Sequence, residues 1–261
     1  TTQTKSDIVK QLKQYNVASV SPVIVDPEIT SIVLNSTAKY DERATTKDAD
    51  TIKADIINSL GTYNISTLQR FDSMFRHSKV VKLIDDTDNS ILSNITTLKI
   101  RKSFIPTLNS SLKYSVFFRN AIYNPHTGHN STAGGVISSS GFKVQGSNNE
   151  QLLDDDGMGN IRRYYLSGAT RVYTNSTQGT IDYTTGEITI NSLQITEISN
   201  IRGSASTVIE LTVQPASNDI VPVRDQILEL DIPNSTISVE KDSFVGGSSD
   251  AGVGYTTTSA Y

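Results

Sequence analysis

The chain has 261 residues and a formal net charge of −4, with 23 Lys and Arg against 27 Asp and Glu. This length allows burial of roughly 70–75% of the unfolded surface, enough for two modest domains or one large one. The near balance of charge argues against a nucleic-acid binder and against a polybasic membrane anchor. We find neither an apolar run of ~18 residues nor a secretory signal, so no membrane partner is expected.

Cysteine is absent, which excludes disulfides, a thiolate nucleophile and Cys-ligated zinc. Such a composition suits folding in a reducing cytoplasm. Richness in Ser, Thr, Asn, Ile and Val favours β-structure with polar outer faces. Because the first residue is Thr1 rather than Met, we expect a processed form or a fragment of a longer chain.

The first 17 residues predict a leading helix and a linker, with Ser6 as the helix cap and Asn16 near its end. A strand is predicted from Ile29 to Ala38, with its even-numbered residues on one side. The next helix should be capped by Thr45 or Thr46.

Ala49, Ile52, Ile56 and Leu60 lie at helical spacing and predict an apolar stripe on that helix. Gly61 is placed to end it, because glycine tolerates the left-handed conformation of a helix C-terminus.

The stretch RFDSMFRHSKVVKLIDDTDNSILSNITTLKIRKSF, residues 70–104, predicts a short amphipathic helix, an acidic turn and a long strand. Period-two alternation from Ile95 to Lys102 places Thr96, Leu98 and Ile100 on the buried face. The opposite face, which carries Ile95, Thr97, Lys99 and Arg101, is expected to meet solvent or a partner. Residues 18–108 therefore predict an α+β domain with two helices on one face of a mixed sheet.

A domain boundary is predicted between Pro106 and Ser111, followed by an all-β sandwich or partly open barrel over residues 109–243. Two hairpins are expected, one turning between Asp154 and Asn160 and one at Gly186 within TIDYTTGEITI. The remaining predicted strands of this domain are Leu112–Phe118, Gly135–Ile137, Gly141–Val144, Ile161–Leu166, Thr170–Tyr173, Val208–Val213 and Thr236–Glu240. Residues 244–261 predict an extended arm that is ordered only when it is tied to something else.

The segment LDDDGMGN, residues 153–160, resembles a calcium loop, but Leu152 and Arg163 would occupy positions that need acids. A hairpin turn is the favoured interpretation. His126 and His129 have an H-x-x-H spacing without further ligands, which favours a surface loop over zinc. His77 is expected to pack or cap a helix. Asp85, Asp86 and Asp88 favour a solvated turn over an acid/base pair. We expect no cofactor, no metal, no small-molecule substrate and no enzymatic activity.

Several of these features also carry a family resemblance. The Pro-bounded strands, the helix ending near Leu60, the segment RFDSMFRHS, and ILSNITTLKI running into a basic strand end resemble baseplate wedge proteins. Those proteins come from contractile-tailed bacteriophages, in the baseplate J-like family. The resemblance covers their C-terminal part, extending over about Ser6 to Phe104 and more loosely beyond.

The resemblance implies a structural subunit of the virion tail baseplate, made in the host cytoplasm. It implies self-association into a ring that connects wedges around the tail tube, contacts with other wedge proteins, and a part in triggering sheath contraction. We expect the interface to include Ile95, Thr97, Lys99, Arg101, Phe244, Val245, Tyr255 and Tyr261. The alternative is a receptor- or glycan-binding tail module that uses Tyr123, Tyr164, Tyr165 and Tyr173.

Overall fold

A computed structural model describes residues 2–15, 24, 26–125 and 135–242 of the chain. Its helices are α1 (Thr2–Lys13), α2 (Ala49–Tyr63) and α3 (His77–Asp85), with a π-helical turn over Asn64–Leu68 and a 3₁₀ turn over Ile232–Asn234. Its strands are β1 (Glu28–Tyr40), β2 (Ile91–Phe104), β3 (Ser111–Phe117), β4 (Ser138–Ser139), β5 (Phe142–Val144), β6 (Leu152–Asp155), β7 (Asn160–Ser167), β8 (Thr170–Asp182), β9 (Glu187–Ile198), β10 (Ile209–Val213), β11 (Gln226–Leu230) and β12 (Thr236–Lys241). The predicted α+β class is confirmed. None of the described helices is long and apolar enough to cross a membrane.

The first sheet is built around β1. It has the order β11-β1-β2-β10-β4, and β12 also pairs with β1. The β1–β2 pair is antiparallel, whereas β11 and β12 run parallel to β1, so the predicted mixed sheet is confirmed. Parallel pairing needs a long crossover, and here the crossover contains the whole second sheet.

Alternation on β1 and β2 was read correctly from the sequence. Ile32, Leu34 and Ala38 are at most 1% exposed, and Leu98 and Ile100 face them from β2. Polar residues also lie on this buried face, and two of them bond to each other, because the hydroxyls of Ser36 and Thr96 are 2.8 Å apart. Both strands are longer than predicted.

The two predicted helices, α2 and α3, cover the buried face of the first sheet. Ile52, Ile56 and Leu60 of α2 are buried, as are Val80 and Ile84 of α3. Their aliphatic side chains join the β1 and β2 residues in one core cluster. The amphipathic stripes predicted for both helices are confirmed.

Three predicted helix ends differ from the structure. The cap of α2 is Asp48, whose carboxylate accepts from the backbone N–H of Thr51 at 2.8 Å, so Thr45 and Thr46 are not the cap. Ser6 lies inside α1, because the residues before it contain no helix breaker.

Gly61 does not end α2, and the prediction that it would do so is wrong. The helix runs on to Tyr63 and then into the π-helical turn, which buries Leu68. This burial stabilises the continued helix more than a glycine termination would.

The second sheet has the order β3-β9-β8-β7-β6, with β5 also pairing with β9. Both predicted hairpins are present: β6–β7 turns between Asp155 and Asn160, and β8–β9 turns through Gly186, which has a φ of +73°. Two separately predicted strands form the single long β8. Gly135–Ile137 is not a strand, and no bounds were predicted for β4, β6 and β11.

Strands from both sides of the predicted boundary at residues 108/109 form the first sheet. β10, β11 and β12 come from the second half of the chain and pair with β1 or β2. One core cluster includes residues of both sheets, so the boundary does not separate two independent cores.

Candidate functional site

One predicted interface lies on the outer face of the first sheet. We define this outer face by Ile95, Thr97 and Lys99 of β2 together with the β1 residues paired with them. Ile95 is 72% exposed and lies opposite Thr37. Thr97 and Lys99 are exposed as well. The predicted outward orientation of these three side chains is confirmed.

Neighbouring positions extend this outer face as a hydroxyl-rich surface. Thr37 lies 2.9 Å from Ser238 of β12, and the hydroxyl of Thr97 reaches the carbonyl of Asn35 at 3.4 Å. One exposed isoleucine within a polar surface offers a small apolar anchor with hydrogen-bonding groups around it. That combination suits contact with another protein better than it suits chemistry.

Arg101 was expected to face solvent or a partner, but residues of its own chain cover it. Its side chain is only 12% exposed, and its guanidinium donates to Asp231 at 2.6 Å and lies 3.5 Å from Glu210. Glu210 in turn binds Arg202 at 2.9 Å. Charges from three distant parts of the sequence thus meet at Arg101, which joins the first sheet together and is not offered to a neighbour.

The acidic segment 153–160 forms a buried polar network at the hairpin between β6 and β7. Asp154 is 1% exposed and accepts from Arg162 at 2.9 Å, Arg171 at 2.6 Å and the hydroxyl of Tyr173 at 2.8 Å. Each arginine also stacks on a tyrosine, with Arg162 4.4 Å from the Tyr173 ring centre and Arg171 4.8 Å from that of Tyr164. This carboxylate is neutralised by its own chain.

The other two acids of the segment are also occupied by protein donors. Asp155 accepts from the backbone N–H of Ile137 at 2.9 Å and from the hydroxyl of Tyr183 at 2.6 Å. Asp156 accepts from the N–H groups of Met158 and Asn160 within the turn. The hairpin-turn interpretation is confirmed, and the structure directs these oxygens at protein donors rather than at a common centre.

Burial and the hydrogen bond to Asp155 raise the pKa of Tyr183 far above its ordinary value. The phenol therefore stays protonated as the donor in that pair.

The histidine and the acidic residues around α3 form hydrogen bonds and ion pairs with nearby parts of the fold. The backbone N–H of His77 donates to Asp219 at 3.0 Å, and its ring lies 2.8 Å from the carbonyl of Thr96, in line with the predicted packing or capping. Asp85 accepts from Asn94 at 2.7 Å, and Asp86 pairs with Lys82.

Asp88 closes the acidic turn. It accepts from the backbone N–H and hydroxyl of Ser90 and pairs with Lys47 at 2.9 Å. The Ser90 hydrogen bonds and the Lys47 ammonium lower the pKa of Asp88 to about 2. Within the described ranges, no group of three or more His, Cys, Asp or Glu could hold a metal ion.

Of the four tyrosines proposed for a glycan site, only Tyr123 is exposed, whereas Tyr165 and Tyr173 are half-buried. The rings of Tyr164 and Tyr173 pack on each other with their centres 5.6 Å apart. Tyr164 is 7% exposed and Tyr173 is committed to Asp154, whereas Tyr123 is 44% exposed. His126 and His129, and the predicted interface residues Phe244, Val245, Tyr255 and Tyr261, lie outside the described residues.

The part of the chain that contains β1 and β2 is similar to known proteins. Residues 28–103, which contain β1, α2, α3 and nearly all of β2, match a family model described as baseplate structural protein gp6, C-terminal domain III. The resemblance to baseplate wedge proteins is confirmed. The chain is also 27% identical to the baseplate wedge protein gp6 of Enterobacteria phage T4 over 118 residues.

The alignment covers 44% of this chain and 18% of the relative, so the chain spans less than a fifth of that protein. Both matches are to proteins named as parts of a phage baseplate. Sequence reasoning found the segment through its alternation and its helix signals. It missed Asn64, Asp219 and Asp231, because nothing local marks a residue whose partner is more than 100 positions away.

Proposed function

We propose that this chain is a structural subunit of a phage tail baseplate wedge. In this proposal, copies self-associate into a ring that connects wedges around the tail tube, contact other wedge proteins, and take part in the rearrangement that triggers sheath contraction. The observation that carries the proposal is the wedge-family match over residues 28–103, the segment that presents the outer face.

The geometry of the described residues supports an assembly role. Their buried charges are paired within the chain, as at Asp154 and Arg101, so they hold the subunit rigid rather than await a substrate. A rigid body with an exposed, mixed apolar and polar face is suited to changing neighbours without changing its own fold. Ile95, Thr97 and Lys99 form the proposed contact.

Sedimentation velocity of the full chain over a wide concentration range tests self-association. We expect oligomers at high concentration, and we expect Ile95→Glu to weaken association by about tenfold or more, because a central exposed apolar anchor is replaced by a charge that must be desolvated. The matched control is Leu166→Glu, since Leu166 is 52% exposed on β7 of the other sheet.

A wild-type chain that stays monomeric at the highest concentration would count against the ring. Equal effects of the two substitutions would place the contact elsewhere. Phage particles carrying Ile95→Glu test the wider role. We expect fewer complete baseplates from this variant than from Leu166→Glu, and equal numbers would contradict a role for the outer face in assembly.

A further inference from the structure

The edge of β3 is a strand edge left open among the described residues. β3 is the terminal strand of the second sheet and pairs only with β9. Ser111, Leu112, Lys113 and Ser115 are all exposed, with Leu112 at 40%. In the described part of the chain, the Ser111–Ser115 backbone has no strand neighbour opposite β9.

Two other terminal strands, β11 and β6, have backbone groups bonded to side chains. At the end of β11, Leu230 exchanges two hydrogen bonds with the side chain of Asn64. At β6, the N–H of Leu153 donates to the hydroxyl of Ser139. Since an unpaired row of backbone donors and acceptors is a template for another strand, the β3 edge can accept one.

The sequence supplies a matching strand in residues 253–261, VGYTTTSAY. Val253, Tyr255, Thr257 and Tyr261 recur at every second position or a multiple of it, and the stretch is rich in Tyr and Thr and free of Pro. This is the pattern of a strand that has one larger-residue face and a complete set of backbone donors. A strand of this kind needs a sheet edge to pair with.

Charge favours this occupant over a second β3. Lys113 lies in the middle of the open edge, so two β3 strands paired with each other would bring like charges together. The chain after Asp242 carries Asp250 and no Lys or Arg. The added strand, residues 253–261, has no charged side chain, so it brings no like charge to the Lys113 edge.

Distance disfavours the chain's own β3 as the partner. β12 leaves the sheet beside Tyr40, where the N–H of Asp242 donates to the carbonyl of Tyr40. β3 lies at the opposite end of β1: Tyr114 packs on Phe104 with ring centres 5.0 Å apart, and Phe104 is at the Glu28 end of the sheet.

β1 has 13 residues, which span roughly 40 Å. The stretch from Asp242 to Val253 reaches at most roughly 40 Å when fully extended. That only equals the straight length of β1, and a path over the protein surface to Ser111 is longer.

We propose that residues 253–261 of one copy add as a strand to the open Ser111–Ser115 edge of β3 in a second copy. The inference deepens the proposed self-association and rests on it, by naming the two surfaces that meet. It adds a head-to-tail contact, because the donated strand and the accepting edge are different parts of the chain.

Because the chain contains no Cys, introduced thiols report the pairing without background. Full-length Ser115→Cys is mixed with full-length Thr257→Cys and treated with a short bis-maleimide. We expect crosslinked heterodimers. The control acceptor is Thr170→Cys, exposed at the far hairpin of the second sheet, which should give little product with Thr257→Cys.

Proline substitutions test the strand itself. Adding Tyr255→Pro to the Thr257→Cys chain should lower the heterodimer yield about tenfold, since it removes a strand hydrogen bond and constrains the backbone. Ser248→Pro, placed before the strand, is the matched control and should leave the yield unchanged. Both lie outside the described fold, so unfolding of the described core does not explain a difference between them.

Equal yields from the two acceptors, or from the two proline variants, would overturn the strand addition. A chain that carries both thiols and crosslinks to itself at high dilution would overturn pairing between copies. If sedimentation still shows oligomers in either of these cases, the proposed function stands and only this contact fails. If the chain is monomeric and gives no crosslinked heterodimer, both the proposed self-association and the strand addition are wrong.

Discussion

The side chain of Asn64 pairs with the backbone of Leu230 as an additional strand residue would. Its amide oxygen accepts from the N–H of Leu230 at 2.8 Å, and its amide nitrogen donates to the Leu230 carbonyl at 3.3 Å. The π-helical turn after α2 is thereby fastened to the edge of β11, across 166 residues of sequence.

Replacing Asn64 should uncouple this turn from the sheet. We expect Asn64→Ala to lower the free energy of unfolding by about 2 kcal/mol, because both the N–H and the carbonyl of Leu230 lose their partner in a buried place. Urea denaturation measures the change. Asn58→Ala, on the exposed side of α2, is the control and should be neutral or slightly stabilising. Equal effects at the two sites would mean that the pairing contributes nothing.

Asp219 caps α3 from a distant part of the chain. Its carboxylate accepts from the N–H of His77 at 3.0 Å and from Arg76 at 2.7 Å, and these donors lower the pKa of Asp219. We expect Asp219→Ala to destabilise the protein by about 1 kcal/mol. Asp219→Asn keeps one acceptor oxygen and should cost about half as much. Thermal unfolding compares the two, and an Asn variant as unstable as the Ala variant would contradict capping.

Removal of the Asp154 carboxylate should lower the free energy of unfolding far more than a change in an exposed hairpin would. Two arginines converge on it, and Asp154→Asn leaves both without their counter-charge beside buried strands. The expected loss is about 3–5 kcal/mol. In a double-mutant cycle, Asp154→Leu with Arg162→Met should cost less than the sum of the single changes. Strict additivity would show that the pair is not coupled.

Acid should weaken the contact between Lys47, which lies just before α2, and the turn after α3. Because the pKa of Asp88 is lowered to about 2 in the folded protein, its contribution is complete above the ordinary aspartate pKa. That contribution is lost as the pH falls from about 4 through about 2. Asp88→Asn should therefore cost about 1 kcal/mol at pH 7 and nearly nothing at pH 2. Denaturation at several pH values measures this, and a pH-independent difference would contradict it.

Much of the first sheet follows from the sequence, since alternation is a local property. Ile32, Leu34 and Leu98 could be placed on the buried face because polar and apolar residues alternate regularly around them. The hairpin at Gly186 was equally local. β11 could not be found in the same way, since five residues between Asp225 and Asp231 become a strand only through parallel pairing with β1.

The candidate site shows the same limit. Ile95 and Thr97 were placed outward correctly by period-two spacing. Arg101 has the same spacing, but Asp231 and Glu210 come from the other half of the chain and cover its side chain. Spacing fixes the direction of a side chain, and only the fold decides what it meets there.

The parallel partners of β1 have a consequence for synthesis. Ser31 of β1 bonds to Glu229 of β11, 198 residues later. At a translation rate of about 5–20 residues per second, the nascent strand waits roughly 10 to 40 s on the ribosome before its sheet can close. Premature pairing with a neighbouring nascent chain is most dangerous during that delay. The first sheet acquires its finished shape only after β11 and β12 have been made.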